Sequence, residues 1–407
     1  MEKYRSRILI MTCLFYGAVV GVIVNTNGQF YPSIADSLGV PIGDVTMASL
    51  IMGLAALICT PLVTGWYQKR DARLFSLAAT MVFLLSHFLC GLVTKLWQFY
   101  VLSAVRGAVQ GFLMFYLVST LIKSWFGEQS GAKLGIAALS SGITGMAANT
   151  LIGLAIDRWS WRVALCGSAV AAFVLGIPLL ALYMVRSPKE WEERQRRGGK
   201  EVSPEVDGAS AKKTEMSDRR GETGHPGVLV CGLVMTLLWL IPFSLTQHLK
   251  IYAMGQGFSQ MFGANLMTLT MVGNLLSKLY LSIYADRLGA RKMAVGVIGL
   301  LLAGDLLLLA PATATLSVGA ILLGISTSVT AVLVPQVTAY VYTGDQFDRV
   351  FAWFSMVMSL GNALWISVDG ILYDRLGSYV PVFAGAAVLL AVSMVLFAIF
   401  AGSTRKE

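Results

Sequence analysis

The chain has 407 residues, of which 56% are hydrophobic and only 13% are charged. A soluble globular domain averages about 25% charged residues, so this composition excludes an ordinary water-soluble domain and indicates a polytopic membrane protein. The net charge of +9 does not point to a nucleic-acid partner. The basic residues lie mostly between apolar runs, where they orient a membrane protein in its bilayer.

Apolar runs of about 20 residues, each long enough to cross a bilayer as a helix, recur along almost the whole chain. The first continues too far beyond Ile8 for a signal peptide and has no small-residue cleavage site. We therefore expect an all-α membrane protein with twelve transmembrane helices, near 8–32, 45–66, 74–94, 97–122, 132–156, 162–185, 227–249, 260–284, 293–311, 315–341, 350–372 and 379–401.

A polar segment separates the sixth run from the seventh. It is rich in Lys, Glu, Gly and Ser and cannot bury enough apolar surface to fold by itself. The sequence therefore predicts an N-terminal six-helix bundle in residues 1–185, a flexible linker in 186–226 and a C-terminal six-helix bundle in 227–407.

The distribution of Lys and Arg predicts the orientation in the membrane. With a cytoplasmic N-terminus, the inside segments carry 24 of these residues and the outside loops carry 5. The positive-inside rule then places both termini and the linker in the cytoplasm. No N-x-[ST] glycosylation site occurs in the sequence, which fits a bacterial inner membrane.

Two pairs of loops repeat at one spacing. "GLAIDRWSWRVAL" from Gly153 aligns with "GILYDRLGSYVPVF" from Gly370 at an offset of 217 residues. The same offset places "GWYQKRDAR" from Gly65 on "SIYADRLGAR" from Ser282. A pair of repeated bundles predicts a solute site at their interface, near the middle of the bilayer.

The loop after the eighth run carries a family resemblance. "YADRLGARK" is similar to the D-R-x-G-x-R-[RK] signature of the major facilitator superfamily. Its counterpart after the second run keeps Arg70 but has Lys69 and Ala72 where the Asp and Gly would stand. The resemblance implies two pseudo-symmetric six-helix bundles that work by alternating access. It also implies a conformational latch, unless the loop charges only fix topology; the latch residues are Arg70, Asp286, Arg287, Gly289 and Arg291.

Within that superfamily, "SWFGEQSGAKLGIAALSSGITGM" and "YDRLGSYVPVFAG" resemble the monocarboxylate and oxalate–formate carriers. Those carriers often place a substrate-binding arginine in the eighth span, eight residues before the loop Asp, where this chain has Lys278. Lysine keeps the charge but lacks the planar fork that grips a carboxylate. The resemblance therefore implies a substrate with a single carboxylate.

Two cations inside predicted spans are the main substrate-binding candidates. Lys278 lies eight residues before Asp286, about 12 Å above the loop, and either binds an anion or snorkels to the surface. Asn274 shares its helix face. Arg106 lies about 14 Å along the fourth span from Trp97, where a charge costs at least about 2.5–3.5 kcal/mol. Arg106 either binds an anion or takes part in proton coupling in the cavity, or it forms hydrogen bonds with helix carbonyls.

Other polar side chains recur on the helices that we expect to line the cavity. Each either lines a pocket or forms a hydrogen bond between helices; they are Tyr16, Asn27, Gln110, Tyr116, Trp239, His248 and Ser328. Two carboxylates are candidates for proton coupling. Asp305, inside the ninth span, alternatively pairs with Asn274, and Asp369 alternatively lies on a water-exposed rim.

We expect a secondary active transporter of a small organic anion, a monocarboxylate, driven by proton symport or anion exchange. The expected partners are the anion, protons or a counter-anion, and the bilayer, and a monomer is expected to function. The sequence has no nucleotide loop, nucleophile–base constellation or metal-ligand spacing, so neither an enzyme nor a cofactor is expected. Two alternatives stay open: a proton-coupled exporter of drugs or metabolites, and a transporter-like ligand sensor.

Overall fold

The structure is a computed structural model that describes residues 2–197, 226–288, 290–334, 338 and 345–403. All secondary structure within these ranges is helical. Nine helices in the described ranges are long and apolar enough to cross a membrane. The predicted all-α membrane fold is therefore confirmed.

The N-terminal half contains six long helices, a short helix between the first two, and one helix after the last. In chain order they are α1 (Glu2–Gln29), α2 (Tyr31–Leu38), α3 (Ile42–Lys69), α4 (Ala72–Cys90), α5 (Leu96–Phe126), α6 (Ser130–Arg158), α7 (Trp161–Tyr183) and α8 (Pro188–Arg197). Helix α8 forms from the first residues of the predicted linker.

Within its described residues, the C-terminal half contains seven further helices. They are α9 (Pro226–Trp239), α10 (Ile241–Gly255), α11 (Gln260–Leu288), α12 (Ala290–Leu308), α13 (Thr313–Ser328), α14 (Asp345–Leu376) and α15 (Val380–Ser403). Helices α9 and α10 together form the seventh predicted span. That span continues to Gly255, six residues beyond its predicted end, so His248 and Lys250 lie inside a helix.

In the described residues, three spans contain π or 3₁₀ segments. The second part of α1 is a π-helix at Gly17–Ile23 followed by a 3₁₀ helix at Val24–Gln29. Helix α5 contains a π turn at Phe112–Leu117, and another follows α13 at Val329–Leu333. Such π segments are rare and concentrate at functional sites. They occur here in the first, fourth and tenth spans, which the sequence predicts to line the cavity.

The two halves meet through small residues. A side chain added at Gly53 of α3 would come within 2.5 Å of the Ala363 Cβ on α14, and one at Gly153 of α6 within 2.6 Å of the Ala264 Cβ on α11. Because only small residues allow two helix backbones to approach so closely, these positions decide where the halves pack. The side of the bundle where α1 ends and α3 begins is called the distal side below, and the opposite side the linker side.

Candidate functional site

Lys278 lies in the seam, the contact between the two halves. Its side chain, on α11, is only 7% exposed. The Nζ atom donates to the Ala138 carbonyl at 3.2 Å and to the Ser141 Oγ at 3.5 Å, both on α6. The ammonium therefore bridges the halves through neutral oxygens.

Asn274, one turn before Lys278, is buried and incompletely bonded. Its Nδ2 atom lies 3.8 Å from the Met271 Sδ, a weak acceptor. Its Oδ1 atom has no hydrogen-bond partner in the described part of the chain. Asn274 and Asp305, an alternative pair in the sequence, are not bonded to each other there. A cation and an incompletely hydrogen-bonded amide on one helix face can bind a small polar anion.

Ser141 connects this pair to α1. Its carbonyl accepts a hydrogen bond from the Asn25 Nδ2 at 3.3 Å, while its hydroxyl lies beside the Lys278 ammonium. Helices α1, α6 and α11 thus meet at one residue. In the sequence, Ser141 is only one of several small residues along the fifth span, beside Ala138 and Gly142. Because such a stripe indicates close helix packing, it carries no signal for a polar contact.

Arg106 is buried in the N-terminal half, and its side chain faces α4. The guanidinium carbon lies 5.5 Å from the centre of the Phe83 ring, and Tyr31, His87 and Cys90 lie within electrostatic range. The Nε and Nη2 atoms have no hydrogen-bond partner within the described ranges. Arg106 is therefore a buried cation with free donors, but it faces a neighbouring helix of its own half.

The two candidate proton-coupling carboxylates are both buried in the C-terminal half. Asp369 on α14 is only 2% exposed and accepts a hydrogen bond from the Ser244 Oγ at 2.5 Å. The alternative of a water-exposed rim position for Asp369 is therefore wrong. Asp305 on α12 is fully buried, and neither of its oxygens has a hydrogen-bond partner among the described residues.

His248 is enclosed by aromatic and backbone groups. Its Nε2 atom lies 3.0 Å from the Ile366 carbonyl, which can only accept, so Nε2 carries a proton. Its Nδ1 atom lies 2.7 Å from the Tyr379 hydroxyl, and its ring centre is 5.9 Å from that of Tyr31 in the other half. The histidine thus belongs to the contact between the halves.

Three of the remaining predicted pocket residues are half-buried. They are Tyr16, Asn27 and Gln110. The Gln110 Oε1 has no hydrogen-bond partner in the described ranges, so this amide could still accept from a solute.

The other three predicted pocket residues bond or pack within their own half. The Tyr116 hydroxyl accepts from the Gln68 Nε2 at 3.1 Å. The Trp239 ring packs against that of Phe397 on α15, and the Ser328 hydroxyl donates to a carbonyl of its own helix. Of these three contacts, the one made by Tyr116 is the hydrogen bond between helices that the sequence offered as the alternative to a pocket.

The predicted latch is described only at Arg70. Its carbonyl accepts from the Arg186 Nη2 at 2.9 Å, and Arg186 also donates to the Tyr67 and Gln68 carbonyls at 2.7 and 3.2 Å. Arg186 therefore caps the end of α3, a role that the sequence did not indicate. The other latch positions lie outside the described residues: the side chains of Asp286, Arg287 and Arg291, and all of Gly289.

No group of three or more His, Cys, Asp or Glu side chains in the described ranges could hold a metal ion. The buried candidates predicted to carry a charge lie instead in three places: Lys278 at the contact of α6 and α11, Arg106 beside α4, and Asp305 and Asp369 in the C-terminal half.

Comparison with known proteins agrees with this architecture. The family model described as Major Facilitator Superfamily matches residues 13–270 and 259–407. The multidrug export protein EmrB of Haemophilus influenzae is 30% identical over 134 residues, which are 32% of this chain and 26% of EmrB. The chain thus spans about a quarter of the length of that curated relative.

Solved structures resemble the whole chain. The nucleoside transporter NupG has a TM-score of 0.70 at 14% identity, covering 97% of this chain and 98% of its own. A bacterial homologue of the human lysosomal transporter Spinster, inward-facing and unoccupied, has a TM-score of 0.64 at 13% identity, with coverages of 98% and 95%. At such identities the likeness shows the fold alone. Because the family model matches nearly the whole chain, this chain belongs to the Major Facilitator Superfamily and is a multi-pass membrane protein.

Proposed function

We propose that the protein is a secondary active transporter of a small organic anion, a monocarboxylate, driven by proton symport or anion exchange. The observation that carries the proposal is the Lys278 ammonium, which is buried in the seam and bonded to neutral oxygens. A buried charge without a counter-charge is costly. A carboxylate substrate would supply the negative charge that no described residue provides, and the Asn274 Oδ1, which has no partner among those residues, would accept from a hydroxyl on the same molecule.

Substrate binding at Lys278 would be linked to movement of the halves. Both oxygens that now accept from its Nζ belong to α6, whereas Lys278 belongs to α11. A carboxylate that takes over these hydrogen bonds releases α11 from α6. The same ammonium thus serves substrate recognition and seam contact in turn, as alternating access requires.

Arg106, Asp305 and Asp369 have supporting roles in this proposal. Arg106 is the second anion-binding candidate, because its Nε and Nη2 donors are free within the described ranges. Asp305 suits proton coupling, because its buried oxygens have no hydrogen bond there that would hold a charge. Asp369 shares a hydrogen bond with Ser244 between α14 and α10.

A proton-coupled exporter is the second candidate function. The partial match to the multidrug export protein EmrB favours it. Saturable uptake of a monocarboxylate would separate the candidates in favour of the first.

The test is flux into proteoliposomes that contain the purified protein. Labelled lactate is supplied with and without an inward proton gradient, for wild type, Lys278→Gln and Arg106→Gln. We expect saturable uptake that increases with the proton gradient. Lys278→Gln should lower this uptake by about tenfold or more, because the variant loses one charge-assisted hydrogen bond to the substrate. Lys123→Gln, which removes the same charge from an exposed position on α5, is the matched control and should transport normally.

Two results would contradict the proposal. One is the absence of lactate uptake by folded protein, even into vesicles preloaded with lactate for exchange. The other is a Lys278→Gln variant that transports as well as the Lys123→Gln control.

A further inference from the structure

Charged side chains near the distal ends of the helices bind the opposite half of the molecule. The Lys250 Nζ on α10 donates to the Gln29 carbonyl at the end of α1, at 2.9 Å. The Asp374 carboxylate on α14 accepts from the backbone N–H groups of Ile42 and Gly43, which begin α3, at 3.1 and 2.5 Å. Both contacts join a C-terminal side chain to an N-terminal backbone.

Each contact has the sign that its helix end prefers. The last carbonyls of a helix are unbonded and carry partial negative charge, and the first N–H groups carry partial positive charge. A lysine at the end of α1 and an aspartate at the start of α3 are therefore both favourable. Pro41, which precedes α3, supplies no side-chain cap, so Asp374 fills that place from the other half.

Lys250 has a second negative neighbour in the N-terminal half. Its ammonium is fully buried, and the exposed Asp157 near the end of α6 lies within electrostatic range. Asp157 and Asp374 are the equivalent acids of the two repeats, 217 residues apart. One acid faces a cation of the C-terminal half, and the other caps a helix of the N-terminal half, so the repeat-related acids act across the seam in opposite directions.

We propose that Asp157, Lys250 and Asp374 form a distal clasp, which holds the distal side closed and sets how often it opens. The clasp is made only while the halves touch there. Opening removes the cap from α3 and separates Lys250 from Gln29 and Asp157. The proposal depends on the contacts between the halves and not on the identity of the substrate.

The test is the distance between spin labels on the two halves, measured by double electron–electron resonance on the full-length purified protein. The labels are attached to Ser37→Cys on α2 and Gly255→Cys at the end of α10, with the five native cysteines replaced. Both positions are exposed, and a side chain at Gly255 meets open space. The wild-type background should show mainly the short distance of the closed distal side.

We expect Asp374→Ala to raise the ratio of open to closed molecules by about three- to thirtyfold, as expected for loss of a helix cap. Asp157→Asn should shift the ratio in the same direction, because Lys250 is then buried without its counter-charge. Adding Lys250→Met to Asp157→Asn should reverse that shift, since no buried charge is left to compensate.

Two further variants separate the clasp from a general loss of stability. Asp71→Ala removes a cap of the same kind inside the N-terminal half, where the carboxylate accepts from the Leu74 N–H at 2.8 Å, and should not change the distances. Gly43→Ala keeps every charge but would place a Cβ 2.6 Å from the Asp374 Oδ2, and should open the distal side. Unchanged distances in Asp374→Ala and Asp157→Asn, or an equal shift in Asp71→Ala, would overturn the proposal.

Discussion

The Lys278 ammonium is buried in the seam and bonded to the Ala138 carbonyl and the Ser141 hydroxyl. These two neutral oxygens compensate only part of the cost of removing a charge from water. Burial of the Lys278 charge therefore does not favour folding, and a functional role explains its presence better. A residue kept at such a cost has a role that an apolar side chain of the same size could not fill.

We therefore predict that Lys278→Met leaves the thermal unfolding midpoint unchanged or raises it, while uptake of the anion is lost. Methionine fills a similar volume without a buried charge. The measurements are thermal unfolding in detergent and proteoliposome flux on the same preparation. A midpoint that falls by several degrees would show instead that the lysine is needed to hold the seam together.

At the scale of the helices, the C-terminal end of α3 is capped by the side chain of Arg186, which follows α7. Arg186 donates to three carbonyls, those of Tyr67, Gln68 and Arg70, and its guanidinium lies 4.7 Å from the centre of the Tyr67 ring. The planar fork of arginine allows several bonds at once, whereas lysine is a compact charge that cannot reproduce this geometry.

We predict that Arg186→Lys lowers the free energy of unfolding by about 1–2 kcal/mol, because at least one carbonyl at the end of α3 loses its partner. Arg5→Lys, a change of the same kind at an exposed position on α1, should have almost no effect. The comparison requires denaturant unfolding of both variants under one set of conditions. Equal stabilities would mean that water replaces the guanidinium at no cost.

For the molecule as a whole, the charge distribution predicts the direction of insertion. With a cytoplasmic N-terminus, the segments predicted to lie inside carry 24 Lys and Arg residues, against 5 in the predicted outside loops. We expect both termini to be cytoplasmic. A fluorescent protein fused after residue 407 should fluoresce, and an alkaline phosphatase fused after residue 94, between α4 and α5, should be active outside. The opposite pattern would reverse the orientation and with it the side that the clasp closes.

Side-chain direction accounts for the differences between the expected and observed sites. Spacing along the chain placed Arg106 in the middle of its span, but the rotation of α5 turns it towards Phe83 of α4. The sequence places Asp369 near the end of its span and so allows a water-exposed position at the rim. In the structure Asp369 is buried and bonded to Ser244 of α10. Depth follows from counting residues, whereas the direction of a side chain depends on how the helix packs.

The membrane class, the positions of most spans, the repeat and the family all follow from the order of the residues, because hydropathy and loop motifs are local properties of the chain. The contacts of Lys278 with α6, of Arg186 with α3, and of Lys250 and Asp374 with helix ends of the other half follow only from the packed fold. These side chains bond to backbone groups. Since every residue carries a carbonyl and every residue except proline an N–H group, such a partner has no signature in the sequence until folding brings the two segments together.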